Sequence, residues 1–319
     1  MNNQDVRMKS QLRKRLEKQQ YGIVGNHSAV KLCHWMKQSL LHQRNCYKQD
    51  FYGIQSHRCL QMTPTINHCN QSCLFCWRYQ GFTEHYIENP DDPTYILEHA
   101  ILEQQRLITG FKGDDRCDIN QWEEANQPTM VACSLSGEPT LYPLLSEFFE
   151  ECHKRNMITF LVTNGTQPEV LSSLDPLPKQ LYVSLIAPTK DIYKRLCVPF
   201  IQNGWEKIQE TLDILPSLDT RTVIRHTLVN HWNIDKKYIK SYASAINKSN
   251  PLFIEPKGYV FVGSSRQRMS KYNMPSHLDI KKFGIDLAKE TGYYFINEKE
   301  DSRVVLLSKT KSPKKLNSY

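Results

Sequence analysis

Apolar positions along the chain follow two alternating rhythms. Short β-rich runs occupy residues 62–67, 129–134, 157–162, 180–186, 221–229 and 251–255. Between and after them, residues 93–109, 142–155, 168–174, 204–215, 234–246 and 275–290 carry apolar residues at helical spacing, several opening on a breaker such as Pro93, Pro168, Gly204 or Pro275. Strands that alternate with helices predict a parallel sheet with right-handed crossovers. Six such units suit a partial (β/α)6 TIM-like barrel whose chemistry sits at the carboxyl ends of the strands. The expected organisation is an N-terminal extension over residues 1–60, the α/β barrel over 61–292 and a basic C-terminal tail over 293–319.

Composition narrows the class. A chain of 319 residues with 39% hydrophobic content can bury one large core, and no apolar run is long enough to span a membrane. The net charge of +8 is uneven, with basic runs at residues 9–15 and 309–315. Such runs suit a polyanionic partner, or else a solvated helix face and a frayed end. Ten cysteines with no recognisable signal peptide point to the reducing cytoplasm, where clustered cysteines bind metal more often than they pair. Cys117, Cys133, Cys152 and Cys197 are scattered and are expected as small buried apolar groups.

The remaining cysteines form two triads. Cys69, Cys73 and Cys76 make a Cys-x3-Cys-x2-Cys loop directly after the first barrel strand, with Phe75 just before the third thiol and Trp77 just after it. Three thiolates hold three corners of a cuboidal iron–sulfur cluster and leave one iron open for a ligand. A structural zinc site with His68 as fourth ligand uses the same spacing and is the competing reading. Cys33, Cys46 and Cys59 form a second triad, twelve residues apart on each side.

Polar groups collect at the ends of the later strands. Ser136, Gly137 and Glu138 follow the second strand, Asn164 and Gly165 end the third, Ser184 lies in the fourth, and Arg225 and His226 lie in the fifth. Each has an ordinary alternative as a turn residue or a satisfied buried group.

The Cys-x3-Cys-x-Phe-Cys loop resembles the radical S-adenosylmethionine (SAM) superfamily. In that superfamily the open iron binds the methionine moiety of SAM, an aromatic residue at the place of Phe75 lies near adenine, and a Gly-Gly-Glu-type turn meets the methionine ammonium. Here the turn reads Ser136-Gly137-Glu138, so its first glycine is replaced. The segments around Cys33, Cys46 and Cys59, the loop from Cys69 to Arg78, Ser136-Gly137-Glu138-Pro139-Thr140 and Phe253-Ile254-Glu255-Pro256-Lys257-Gly258-Tyr259 together resemble tRNA 4-demethylwyosine synthases of archaeal type, over nearly the whole chain.

The resemblance implies two [4Fe-4S] clusters, one on Cys69, Cys73 and Cys76 and one on Cys33, Cys46 and Cys59, with SAM contacted by Phe75, Ser136, Gly137, Glu138, Asn164 and Ser184. It implies conversion of N1-methylguanosine-37 of phenylalanine tRNA to 4-demethylwyosine, with pyruvate as two-carbon donor. A 5′-deoxyadenosyl radical would take hydrogen from the N1-methyl group. The methylene radical would then attack pyruvate, and ring closure would follow loss of the carboxyl carbon. A lysine can activate pyruvate as a Schiff base; the resemblance points to Lys48, with Lys31 and Lys257 as alternatives. The second cluster would either coordinate pyruvate or relay electrons. Arg78, Arg266, Arg268 and Lys271, with Tyr272, are expected around the mouth where the turned-out tRNA base enters. Eukaryotic members of this family carry a flavodoxin-like domain, so a separate electron donor is expected here, along with a monomer and no membrane partner.

Overall fold

The computed structural model describes residues 10–316, so Lys9 of the first basic run lies outside the described residues, as do residues 317–319. The remainder of that run opens the helix Ser10–Lys18. The described chain divides into two compact units. One comprises residues up to Cys69, Phe82–Leu161 and Leu316; the other comprises Asn70–Gly81 and Val162–Lys315. Among the described residues, no helix is long and apolar enough to cross a membrane.

The first unit carries β1 (Gly22–Val24), β2 (Ser28–Val30), β3 (Cys59–Thr63), β4 (Met130–Cys133) and the first part of β5 (Ile158–Thr163), adjacent in that order. β1 to β3 are antiparallel neighbours, whereas β3, β4 and β5 run parallel, with Cys59 opposite Met130 and Met130 opposite Ile158. Leu60, Met62, Val131 and Phe160 are fully buried along these strands. Helix Pro93–Ile108 packs over β1, β2 and β3. Its start is fixed by Pro93 in the first turn and by the Asp92 carboxylate, which accepts the Tyr95 N–H at 2.9 Å. Leu32, Met36 and Leu40 form a satellite cluster with Ile108 and Ala125, against which Cys33 packs.

The second unit carries β6 (Gln180–Ser184), β7 (Arg221–Leu228), β8 (Phe253–Gly258), β9 (Tyr294–Lys299) and β10 (Val304–Ser308), ordered β6-β7-β8-β10-β9. β6, β7 and β8 are parallel, and β10 and β9 extend them antiparallel. Successive side chains point to opposite faces. His226 packs on Tyr242 and Phe283, from helices Ile239–Ser249 and His277–Thr291, with ring centroids 4.6 and 6.0 Å away. On the other face Ser184, Arg225 and Glu255 lie in one register row across three strands.

Helices fall close to their expected places, at Leu145–Lys154, Pro168–Ser173, Gly204–Ile214, Ile239–Ser249 and His277–Thr291. Two expectations are corrected. The first barrel strand ends at Thr63 rather than 67, because Pro64 cannot donate to a ladder. Residues 294–308 are not tail: β9 and β10 occupy most of them, and all five β10 residues are buried.

The carboxyl ends of β6 and β7 are tied by Asn233. Its amide nitrogen donates to Ile186 O and Thr227 O, both at 2.8 Å, and its oxygen accepts the Val229 N–H at 2.6 Å. Asn233→Ala should leave these buried groups unpaired and cost roughly 1–3 kcal/mol, read as a lower urea midpoint. His226 gives a pH dependence: burial lowers its pKa from 6.5 to about 4, partly opposed by its bond to Leu185 O. Below pH 6.5 the unfolded chain takes up a proton that the folded chain refuses. The stability His226 contributes at neutral pH, on the order of 3 kcal/mol, should therefore fade toward pH 4. Urea midpoints compared at pH 7 and 4.5 should converge in His226→Asn.

Candidate active site

Within the first unit, the segment leading to Cys69 has its backbone groups engaged on several sides. His27 Nδ1 bonds Pro64 O at 2.5 Å, while His27 Nε2 accepts the Asp91 N–H at 2.9 Å, which places the ring proton on Nδ1. Ile66 N–H donates to His27 O, Ser136 Oγ to Ile66 O, Glu138 N–H to His68 O and Cys69 N–H to Glu84 O. Ser136 and Glu138 thus act on the cysteine segment through its backbone. Gly137 sits at φ +74°, and a Cβ there would lie 1.7 Å from Thr65 O and 2.7 Å from His68 O. Glu138 is buried and its carboxylate accepts from Thr140 N–H and Oγ1. His68, the zinc alternative's fourth ligand, pairs through Nε2 with Glu84 at 3.2 Å.

The second triad lies in the same unit. Cys33 and Cys46 stand at the N-caps of helices His34–His42 and Tyr47–Tyr52, and Cys59 opens β3. Burial pushes the Cys59 thiol up to about 12, with the nearby Lys48 charge opposing and Cys33 and Cys46 reinforcing. Lys48 is 9% exposed, with its ammonium 4.6 Å from the centroid of the Phe160 ring. Lys31 is engaged elsewhere: its ammonium donates to Gln19 O, lies over the Tyr21 ring and lines a polar cavity of about 610 Å³. Burial, then Lys37, hold its pKa below the usual lysine value.

In the second unit the segment carrying Cys73 and Cys76 runs antiparallel to residues 196–200. Ser72 N–H donates to Val198 O and Leu74 N–H to Leu196 O, each at 3.0 Å. The loop after β8 holds the segment's far end. Ser264 N–H donates to Trp77 O at 2.9 Å, and a Cβ on Gly263, at φ +61°, would come within 2.5 Å of that oxygen. Arg268 donates through Nε to Leu74 O at 3.2 Å and through its second terminal nitrogen to Cys76 O. Arg78 is buried and donates to Gln71 O. These two arginines, expected at a tRNA-facing rim, brace the cysteine loop through its carbonyls. Arg266, Lys271 and Tyr272 are exposed as expected, with Arg266 over Phe261 and Lys271 over Tyr272.

The thiols of Cys73 and Cys76 are raised, the first chiefly by a hydrogen bond with Cys197 and the second by burial, with Arg78 opposing in both. Iron removes such a penalty by binding the thiolate, and an all-thiolate donor set beside cations suits an iron–sulfur cluster. Among the described residues no three His, Cys, Asp or Glu side chains are grouped to hold a single metal ion. Phe75 is half-buried in the same loop. Asn164 and Ser184 line one small cavity with Gln71, Cys197 and Trp205, and Asn164 bonds Asn70 at 2.8 Å. Arg225 pairs with Glu255 at 2.8 Å over the Tyr182 ring, and Lys257 donates to Ser302 O at 2.6 Å. Lys257 therefore serves β8 and the β9–β10 connection, in a different unit from Lys48 and Lys31. Cys133, Cys152 and Cys197 are buried, as expected, and Cys117 is half-buried.

Gly137→Ala should force the turn off Thr65 O and cost on the order of 3 kcal/mol locally. The expected result is a loss of SAM affinity of at least tenfold, by calorimetry, in protein that still loads iron.

Comparison with known proteins identifies the arrangement. The radical SAM superfamily matches residues 63–240, and the family described as wyosine base formation matches residues 248–309, from before β8 through β10. The S-adenosyl-L-methionine-dependent tRNA 4-demethylwyosine synthase of Pyrococcus horikoshii is 50% identical over 91% of this chain and 86% of that protein. The Homo sapiens synthase is 37% identical over 94% of this chain but only 41% of its own length. A solved structure of TYW1 with a bound lysine–pyruvate adduct superimposes with a TM-score of 0.87 at 39% identity, covering 97% of this chain and 99% of that one. An archaeal TYW1 structure gives 0.77 at 36% identity over 94% of this chain and 96% of that one. The expected α/β class with parallel strands is observed, and the radical SAM match and the TYW1 structures agree with the expected fold. The chain belongs to the radical SAM superfamily and, within it, to the S-adenosyl-L-methionine-dependent tRNA 4-demethylwyosine synthases.

Proposed function

We propose that this chain converts N1-methylguanosine-37 of phenylalanine tRNA to 4-demethylwyosine, with pyruvate as two-carbon donor and Lys48 as the residue that activates it. The observation that carries the reading is a buried lysine, Lys48, close enough to Cys59 to oppose its raised pKa, in a chain similar to a TYW1 whose structure holds a lysine–pyruvate adduct. Burial against Phe160 keeps bulk water from the amine and so shields a Schiff base formed there from hydrolysis. Lys31 and Lys257 are not among the groups named as acting on Cys59, and they are the weaker choices.

On this reading Cys69, Cys73 and Cys76 hold the SAM cluster, whose open iron supports reductive cleavage of SAM to the 5′-deoxyadenosyl radical. Gly137, whose turn admits no side chain, presents backbone to the SAM ammonium, Phe75 faces adenine, and Asn164 and Ser184 supply polar groups to SAM. Cys33, Cys46 and Cys59 hold a second [4Fe-4S] cluster beside Lys48. Two of these cysteines, Cys33 and Cys46, occupy helix N-cap positions. Exposed Arg266 and Lys271, with Tyr272, contact tRNA phosphates and bases. The reading includes residues 1–60 as the segment bearing the second cluster, a separate one-electron donor, a monomeric chain and a cytoplasmic setting.

The test is anaerobic incubation of the reconstituted protein with SAM, dithionite, isotope-labelled pyruvate and N1-methylguanosine-containing tRNA, followed by mass spectrometry of the nucleosides. Labelled 4-demethylwyosine is expected, and borohydride should trap the pyruvate carbons on Lys48. Lys48→Arg should lower product at least a hundredfold while 5′-deoxyadenosine still forms. Alanine at Cys69, Cys73 or Cys76 should abolish SAM cleavage; alanine at Cys33, Cys46 or Cys59 should remove product and spare cleavage. Trapping on another lysine would overturn the assignment of Lys48, and unlabelled product would overturn the role of pyruvate.

A further inference from the structure

Cys197 enters none of the roles above, yet it faces a proposed cluster ligand. Gln71 pairs antiparallel with Pro199. On either side of position 73, Ser72 N–H bonds Val198 O and Leu74 N–H bonds Leu196 O. In that register Cys73 stands directly opposite Cys197, at the rung without backbone hydrogen bonds. Cys197 closes its helix and Val198 follows in the left-handed region, so the ladder stops at this pair; a disulfide across it needs Cα atoms roughly 4.4–6.8 Å apart. The Cys197 thiol is near enough to raise the Cys73 pKa, Cys73 Sγ donates to Gln71 Oε1 at 3.3 Å, and both cysteines are free. Cys197 ends helix Lys190–Cys197 and is 1% exposed, whereas Cys73 is half-buried and the more reachable of the two.

We propose that Cys73 and Cys197 form a reversible disulfide whenever Cys73 carries no iron, with Cys197 the resolving thiol that protects the ligand. The purpose, though not the bond itself, rests on the reading of Cys73 as a cluster ligand. Hydrogen peroxide, as oxidant, converts the Cys73 thiol to a sulfenic acid and releases one water. The Cys197 sulfur then attacks the Cys73 sulfur; the S–S bond forms, the S–OH bond breaks, and the hydroxyl leaves as a second water with the Cys197 proton. Two thiols lose two electrons in all, and one peroxide becomes two waters. Without a partner so placed, a sulfenic acid under further peroxide moves on to the sulfinic acid, which thiols do not reverse. A small dithiol restores both cysteines by exchange.

The test uses the full chain, stripped of iron by a chelator, treated with hydrogen peroxide, alkylated and digested without reduction. A peptide linking Cys73 to Cys197 is expected as the main disulfide. Iron loading should fall after peroxide and return after dithiothreitol, iron and sulfide are added. In Cys197→Ser, compared with its own unoxidised sample, Cys73 should appear as the sulfinic acid and iron loading should not return. Alkylation of both residues after peroxide, linkage of Cys73 to Cys69 or Cys76, or full iron recovery by Cys197→Ser would overturn the proposal. The expected disulfide with iron loading undiminished would leave the bond standing and overturn Cys73 as a ligand.

Discussion

Gly137 lies so close to the carbonyl of Thr65 that no side chain fits between them, and the rest of the active face depends on contacts of this kind. The cysteine loop is irregular chain, so it has no ladder of its own to satisfy its backbone groups. In the first unit it borrows partners from the Ser136–Glu138 turn, from His27 and from Glu84. In the second unit it borrows them from residues 196–200 and from the loop after β8. A ligand loop held in this way presents its thiols without having to fold around the metal first, which lowers the ordering cost of binding.

The same economy explains the second triad. Cys33 and Cys46 begin helices, and Cys59 begins a parallel strand, so all three thiols start regular elements whose bodies are packed in the core. Lys48 rides on the second of those helices and is buried with it. A lysine is seldom buried without a purpose, because its charged form loses hydration there. If Lys48 forms the proposed Schiff base, the same burial keeps water from the imine.

Much of this was legible in the residues. The parallel strands announce themselves as apolar runs, since both faces are covered, and the helices by periodic apolar residues between breakers. The cysteine spacing fixed the chemistry more tightly than any other feature. What stayed hidden has physical causes. β1 and β2 are three residues each, too short for a pattern to register. β9 has no buried residue, so its charged sequence reads as tail until β10 pairs with it. The bracing role of Arg78 and Arg268 was not legible because an arginine that donates to loop carbonyls looks the same in sequence as one that does not. The Cys73–Cys197 opposition depends on a register between distant segments that no local motif encodes.

Under the proposed function, the radical made by this chain takes its hydrogen from the N1-methyl group of the tRNA base. The direct measurement is a single-turnover reaction on tRNA whose N1-methylguanosine carries a deuterated methyl group, with mass analysis of the 5′-deoxyadenosine formed. One deuterium in 5′-deoxyadenosine, accumulating in step with 4-demethylwyosine, is the expected result. Product formation alongside undeuterated 5′-deoxyadenosine would contradict it, because the hydrogen would then have come from another donor.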